Sequence, residues 1–199
     1  MRRRATTPAL VVLALTVAAC GNDDGRSATV TTRTTTSTVV PEPAVTQPDG
    51  IGLELRSSSF ADGQPLPDRH AGGDEDLSPP LEWSGVPEGT RELALICEDP
   101  DAPERAFVHW VLAGIDPSTI HLEEGDVPDG VLEGMNDFGE AGWAGPQPPP
   151  TDAPHRYAFI LFALDRKLGL DGQVTAAQLR KAMNGKVIAE ARLTGTFDR

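Results

Sequence analysis

Two histidine-bearing segments carry the residue types from which a binding site can be built. In the first, Asp99-Pro100-Asp101-Ala102-Pro103 is followed by Phe107-Val108-His109-Trp110. In the second, Gly145-Pro146-Gln147-Pro148-Pro149 leads to His155-Arg156-Tyr157. Each joins a Pro-rich loop, stiff because proline fixes φ, to an apolar run, with an ionisable side chain at the junction. Protonated imidazole donates from both ring nitrogens and a tyrosine hydroxyl donates without carrying charge. An adjacent aspartate favours the imidazolium. The chemistry expected is therefore capture of a small anion, with Asp99 orienting and charging one histidine and Tyr157 adding a neutral donor. Affinity in such a site rises as pH falls below the histidine pKa, near 6.5 if unperturbed.

Other uses of the same residues stay open at this level. Asp99, Asp101, His109 and His155 are ligand types suited to zinc, but no close His-x-x-x-His spacing accompanies them. A histidine base could serve a hydrolase, with Ser57, Ser58, Ser59, Ser78 and Ser84 as hydroxyls, yet there is no Gly-x-Ser-x-Gly turn. The plainest reading makes both histidines satisfied residues at strand ends. No cofactor is called for.

Strands are the elements expected to hold these groups. Leu93 to Cys97, Phe107 to Leu112 and Tyr157 to Leu164 are short apolar runs between Pro/Gly-rich loops, the pattern of buried strands in a sandwich. Strand alternation puts His155, Tyr157 and Phe159 on one face, and likewise Phe107, His109 and Val111. An extended chain from Asp99 aims Asp101 the same way, so that four polar groups converge. Leu53 to Phe60 and Leu81-Glu82-Trp83 are weaker strand candidates. One helix is expected, from a Thr175/Gln178 capping box through Leu179, Ala182 and Met183 to a terminating Gly185. After it Ala189, Ala191 and Leu193 alternate with polar residues as a half-buried last strand. The fold class is mainly β.

The N-terminal residues read as an address. Arg2, Arg3 and Arg4 precede an apolar stretch, Ala9 to Ala19, that ends in Val17-Ala18-Ala19-Cys20. A basic start, a short apolar core and small residues describe a secretory leader over 1–19; a bilayer span needs roughly 20 apolar residues. A cysteine directly after the small residues resembles a bacterial lipoprotein signal, which would make Cys20 the lipidated N-terminus. The Thr-rich run Thr29 to Thr38 and Pro41, Pro43 and Pro48 then form a disordered tether over 20–49, holding a domain over 50–199 outside the cytoplasm at the cell membrane. Removal of the three leader arginines leaves 14 Lys and Arg against 30 Asp and Glu, a formal charge of −16. That charge argues against nucleic acid, whose phosphates need Lys and Arg. With Cys20 acylated, Cys97 stands alone as a core residue without a disulfide partner.

Smaller expectations complete the reading. Trp83, Trp110 and Trp143 line the core or the pocket, His70 and His121 face solvent, and Glu123 to Asp126 form a solvated loop. Ala102-Pro103 is a candidate cis bond.

The motifs also carry a resemblance. Leu77-Ser78-Pro79-Pro80-Leu81-Glu82-Trp83-Ser84-Gly85-Val86-Pro87, Asp99 to Pro103 and Val108-His109-Trp110 appear in this order. They are followed by Phe138-Gly139, Trp143 to Pro149, His155-Arg156-Tyr157 and Ala189-Glu190-Ala191 with Leu193 to Phe197. The chain from about Leu53 to Arg199 thereby resembles the phosphatidylethanolamine-binding protein family, in its bacterial Raf-kinase-inhibitor-like branch. The resemblance implies a β-sandwich with a few peripheral short helices and a small pocket for phosphate-like or carboxylate groups, including a phospholipid head group. It assigns that pocket to Asp99, His109, Gly145, Pro146, His155 and Tyr157, with Asp101 and Pro103 shaping the wall. A protein partner whose phosphate or carboxylate is recognised is the alternative occupant. Two departures from the family pattern stand out: only five residues separate Pro103 from His109, and Thr151-Asp152-Ala153-Pro154 precedes His155 where glycine is usual. Asp152 there could repel an anion.

Overall fold

Pairing of the long apolar runs generates the central sheet. In a computed structural model, which describes residues 52–73 and 75–199, the strands are β1 (Glu54–Arg56), β2 (Leu81–Ser84), β3 (Glu92–Asp99), β4 (Phe107–Ile115), β5 (His121–Leu122), β6 (Leu132–Glu133), β7 (His155–Leu164) and β8 (Val187–Phe197). The one α-helix among the described residues, α1 (Ala176–Met183), lies between β7 and β8. Five strands form one antiparallel sheet in the order β6-β4-β3-β7-β8, and three form a second in the order β1-β2-β5. The expected leader over 1–19, Cys20 and the expected tether over 20–49 lie outside the described residues.

The central strands β3 and β7 read as nearly unbroken apolar runs because both faces of their sheet are covered. Leu93, Leu95 and Cys97 of β3 and Tyr157, Phe159 and Leu161 of β7 face one core with Leu55, Leu81 and Trp83 of the small sheet. Ala94, Ile96, Ala158, Ile160 and Phe162 face the other way, where Leu179 and Met183 of α1 pack on them. Burying each large side chain contributes roughly 1.5–3 kcal/mol. Cys97 is a fully buried member of the first core, as its position in an apolar strand implies.

The helix forms as its signals require. The Thr175 hydroxyl accepts from the Gln178 amide and the Gln178 side chain accepts from the Thr175 amide. Gly185 follows the helix at φ +70°, a conformation glycine adopts without Cβ strain.

Alternation along β4 is where strand parity fails. Cys97 pairs with Trp110 but Glu98 pairs with Val108, so His109 is an extra residue in the ladder. This bulge turns His109 and the adjacent Trp110 toward the same core, and Val111 goes to the opposite face with Ile96 and Ala113. The expectation that Val111 shares a face with His109 is thus corrected. A second register shift follows at Gly114 (φ +77°), whose amide donates to the buried Glu92 carboxylate, 3.1 Å away.

Two further expectations change. Among the described residues no peptide bond is cis, so Ala102-Pro103 is trans. His70 is fully buried rather than solvent-facing, because its Nδ1–H donates to the Leu77 carbonyl (2.9 Å) and Nε2 accepts from the Ser59 hydroxyl (2.7 Å). Arg69 donates to the same Ser59 oxygen and to Glu124, which closes a polar clasp over the N-terminal segment. His121 is exposed, as expected.

Candidate functional site

The C-terminal end of β3 and the N-terminal end of β7 are neighbours in an antiparallel pair, which brings Asp99 and His155 together. Both are buried. The His155 Nδ1–H donates to Asp99 Oδ2 at 2.7 Å, and the other Asp99 oxygen accepts the Asp101 amide at 2.8 Å. Burial lowers the affinity of the His155 ring for its proton, but the Asp99 carboxylate more than offsets this, and Asp152 adds to it, so the pKa is raised. Asp152 Oδ2 lies 3.5 Å from His155 Nε2. The His155 ring therefore sits between two carboxylates, which favour its protonated form.

His109 differs in every respect. Its Nδ1–H donates to the Ala144 carbonyl at 2.5 Å, which fixes the neutral tautomer and leaves Nε2 as a lone-pair acceptor. Burial dominates and pushes its pKa down, despite the Ala144 carbonyl and more distant acids. The ring packs edge-on to Tyr157 (centroids 5.1 Å) and beside Trp143 (6.4 Å). Trp143 in turn stacks on Phe159 at 5.8 Å. Burial likewise raises the Tyr157 hydroxyl pKa, with the Asp99 charge adding to it, so the group stays a neutral donor. Among the described residues neither the Tyr157 hydroxyl nor His109 Nε2 has a hydrogen-bond partner.

Asp99, His109, His155 and Tyr157 line one cavity of about 190 Å³, together with Ala102, Pro103, Phe107, Phe138, Gln147, Pro148 and Pro149, and Asp152 stands outside that lining. Of the residues expected at the site, Asp99, Pro103, His109, His155 and Tyr157 come together there. Asp101, Gly145 and Pro146 do not line the cavity. The Asp101 carboxylate turns away to receive the Arg156 backbone amide (2.9 Å) and its guanidinium (2.9 and 2.7 Å), which pulls its pKa down to about 2.

Gly145 and Pro146 are buried and position the Gln147–Pro149 wall. The Gly145 amide donates to Asp76 Oδ1 at 2.7 Å, and Pro146 accepts from the Gly72 amide at 3.1 Å. A Cβ on Gly145 would come within 2.1 Å of the His70 carbonyl oxygen. Only glycine allows that approach of two backbones.

Three contributors escaped the sequence reading. Phe138 is 49% exposed at the rim and packs edge-on against Phe107, centroids 4.7 Å apart. Asp137 holds the start of β4 by accepting the Val108 amide and Arg105, each at 2.8 Å. Asp76 holds the Gly145 loop from 69 residues away, and its left-handed φ of +54° gave no local signal. Among the described residues there is no cluster of three or more His, Cys, Asp or Glu that could hold a metal ion.

The fold is thus a two-sheet antiparallel β domain with an Asp-His pair in the lining of a Pro- and Phe-walled cavity. The comparisons with known proteins extend this. The family model described as phosphatidylethanolamine-binding protein matches residues 56–198. The chain belongs to that family. It is 42% identical over 152 residues to a UPF0098 protein of Methanothermobacter thermautotrophicus, covering 74% of this chain and 99% of the relative. A Mycobacterium tuberculosis relative named "Putative lipoprotein LppC" is 34% identical over 202 residues, covering 100% of this chain and 98% of its own. The Escherichia coli YbcL structure, described as a new member of the mammalian PEBP family, superposes with a TM-score of 0.70 at 32% identity, covering 74% of this chain and 98% of YbcL.

Proposed function

We propose that this protein is a membrane-tethered binding module whose cavity takes the oxyanionic end of a small ligand, a phosphate monoester or carboxylate, including a phospholipid head group. The observation that carries the reading is that the Tyr157 hydroxyl, a donor, and His109 Nε2, an acceptor, line the cavity beside the Asp99–His155 pair with no protein partner among the described residues. A phosphate monoester that keeps one proton satisfies both at once: an unprotonated oxygen accepts from Tyr157 while the ligand O–H donates to His109, whereas a carboxylate or a phosphodiester engages the Tyr157 donor alone. In this reading His109 works as a neutral acceptor, and the histidine that Asp99 orients and charges is His155. Binding rather than catalysis is supported by the same geometry. Both Asp99 oxygens are engaged and the Tyr157 hydroxyl is held protonated, and among the described residues no serine or cysteine lines the cavity to act as a nucleophile.

Anchoring is proposed through acylation of Cys20 after removal of residues 1–19, with 20–49 as tether. The leader pattern and the full-length similarity to the M. tuberculosis relative support it. A second reading, recognition of a phosphate or carboxylate on a protein partner, draws support from Phe138, a large apolar side chain exposed at the rim.

Calorimetric titration with phosphate, phosphoethanolamine and acetate at pH 6 and 7.5 tests the pocket. Saturable binding of phosphate and phosphoethanolamine is expected, weakened at least tenfold in Tyr157→Phe, since a hydrogen bond to a charged group contributes about 1.5–3 kcal/mol. Equal binding by Tyr157→Phe, or no binding at millimolar ligand, would overturn the reading.

A further inference from the structure

His155 lines the cavity, and its Nε2 already faces a second carboxylate, Asp152, which itself lies outside the cavity lining. We infer that Asp152 is a built-in occupant of the anion position, so that the acidic group of a ligand enters by exchanging with the Asp152 carboxylate at His155 Nε2. The inference rests on the pocket reading above and adds a residue that sets its affinity and selectivity.

The two carboxylates around His155 are held very differently. Asp99 contacts Nδ1 at 2.7 Å, is buried, and uses both oxygens. Asp152 approaches Nε2 only to 3.5 Å, longer than a normal N–H···O bond. Its side chain is 37% exposed against 7% for His155, and its remaining side-chain contact is the neighbouring Thr151 hydroxyl, also at 3.5 Å. The chain from Pro149 to Pro154 is exposed throughout. Its backbone is bracketed by Pro148, Pro149 and Pro150 on one side and Pro154 on the other, so rotation at Thr151, Asp152 and Ala153 is enough to withdraw the carboxylate. Asp99 is fixture and Asp152 is replaceable.

Charge counting explains why exchange is favoured over addition. An imidazolium between Asp99 and Asp152 carries a net charge of −1. A bound monoanion would bring the cluster to −2 inside a domain already strongly acidic. Exchange leaves the cluster at −1 and returns the Asp152 carboxylate to water, where charges beyond about 8 Å are largely screened at physiological ionic strength. The other charged groups beside His155, Asp101 and Arg156, neutralise each other. A ligand must therefore outcompete a tethered carboxylate, which disfavours simple monocarboxylates and favours groups offering more than one oxygen to His155, Tyr157 and His109 together, as a phosphate monoester does.

The test is calorimetric titration of inorganic phosphate into the full chain and its Asp152→Asn, Asp152→Ser and His155→Ala variants. NMR titration of the His155 ring runs in parallel, and thermal melts establish folding. Both Asp152 variants are expected to bind phosphate at least fivefold more tightly, with the His155 pKa lowered. If they bind no more tightly than the parent while His155→Ala abolishes binding, exchange is overturned and the pocket stands. If neither the parent nor either Asp152 variant binds at millimolar phosphate, the pocket reading falls and exchange falls with it. Weaker binding in both Asp152 variants would make Asp152 a ligand-holding residue and also overturn the proposal.

Discussion

His109 and His155 line one cavity from two strands, and their proton affinities are moved in opposite directions. His155 ends a strand whose partner ends in Asp99, so a carboxylate reaches its ring and holds a proton there. His109 sits on a bulge within β4, among Phe107, Trp143 and Tyr157, with a backbone carbonyl as its partner. Burial then wins and the ring holds its proton weakly. The difference lies in what each residue meets, since the residue type is the same. It divides the work: one histidine supplies charge, already balanced by acids, and the other supplies a lone pair.

The sharpest way to break this contrast is Asp99→Asn. It leaves the buried His155 without its close carboxylate, and losing one partner of a buried pair costs about 3–5 kcal/mol. Denaturant unfolding at pH 6 should show a loss near the lower end, because Asp152 remains, and NMR should show the His155 pKa falling. Gly145→Ala attacks the wall rather than the charge. The new Cβ meets backbone of His70 and Ala71, so overpacking of about 1–3 kcal/mol is expected, with phosphate binding weakened as Gln147 to Pro149 shift. Unchanged stability would show that the approach of these two loops is softer than it looks.

Stability against pH should separate the two rings. A raised folded pKa makes the His155 contribution fully present below about 6.5, the unfolded value, and lost as pH rises through the folded value. Lowered folded pKa values make the contributions of His109 and His70 present above about 6.5 and lost as pH falls below it. His109→Gln, which can keep the donor to Ala144, should therefore flatten the acid side of the profile. Asp99→Asn should flatten the alkaline side. The smallest effect belongs to Arg156→Ala. It releases Asp101, whose pKa should return from about 2 toward 3.8, with no resolved change in Tm at neutral pH because the pair is exposed.

Much of this was legible in the chain because it is local. Apolar runs of strand length, the Thr175/Gln178 capping box and the Gly185 terminator each depend on neighbours a few residues away. Convergence of Asp99, His109, His155 and Tyr157 followed from two motifs at strand ends. Parity failed at Val111 because a bulge is set by pairing with β3, and no feature of the β4 sequence announces it. His70 was misplaced because its partners, Ser59, Leu77 and the Arg69–Glu124 pair, come from loops that only the fold brings together.

The amino-acid sequence by itself determined the family, the mainly β class, the acidic charge and the polar groups available to one cavity. These rest on side-chain period, composition and short motifs, which survive without knowledge of the rest of the chain. Tertiary structure decided which of those groups remain free to act. Asp101 is spent on Arg156, the Gly145 amide on the Asp76 carboxylate, and His155 on two carboxylates. Among the described residues His109 and Tyr157 keep an open lone pair and an open hydroxyl. Proton affinity and hydrogen-bond vacancy depend on burial and on partners tens of residues away, and only the folded chain supplies those.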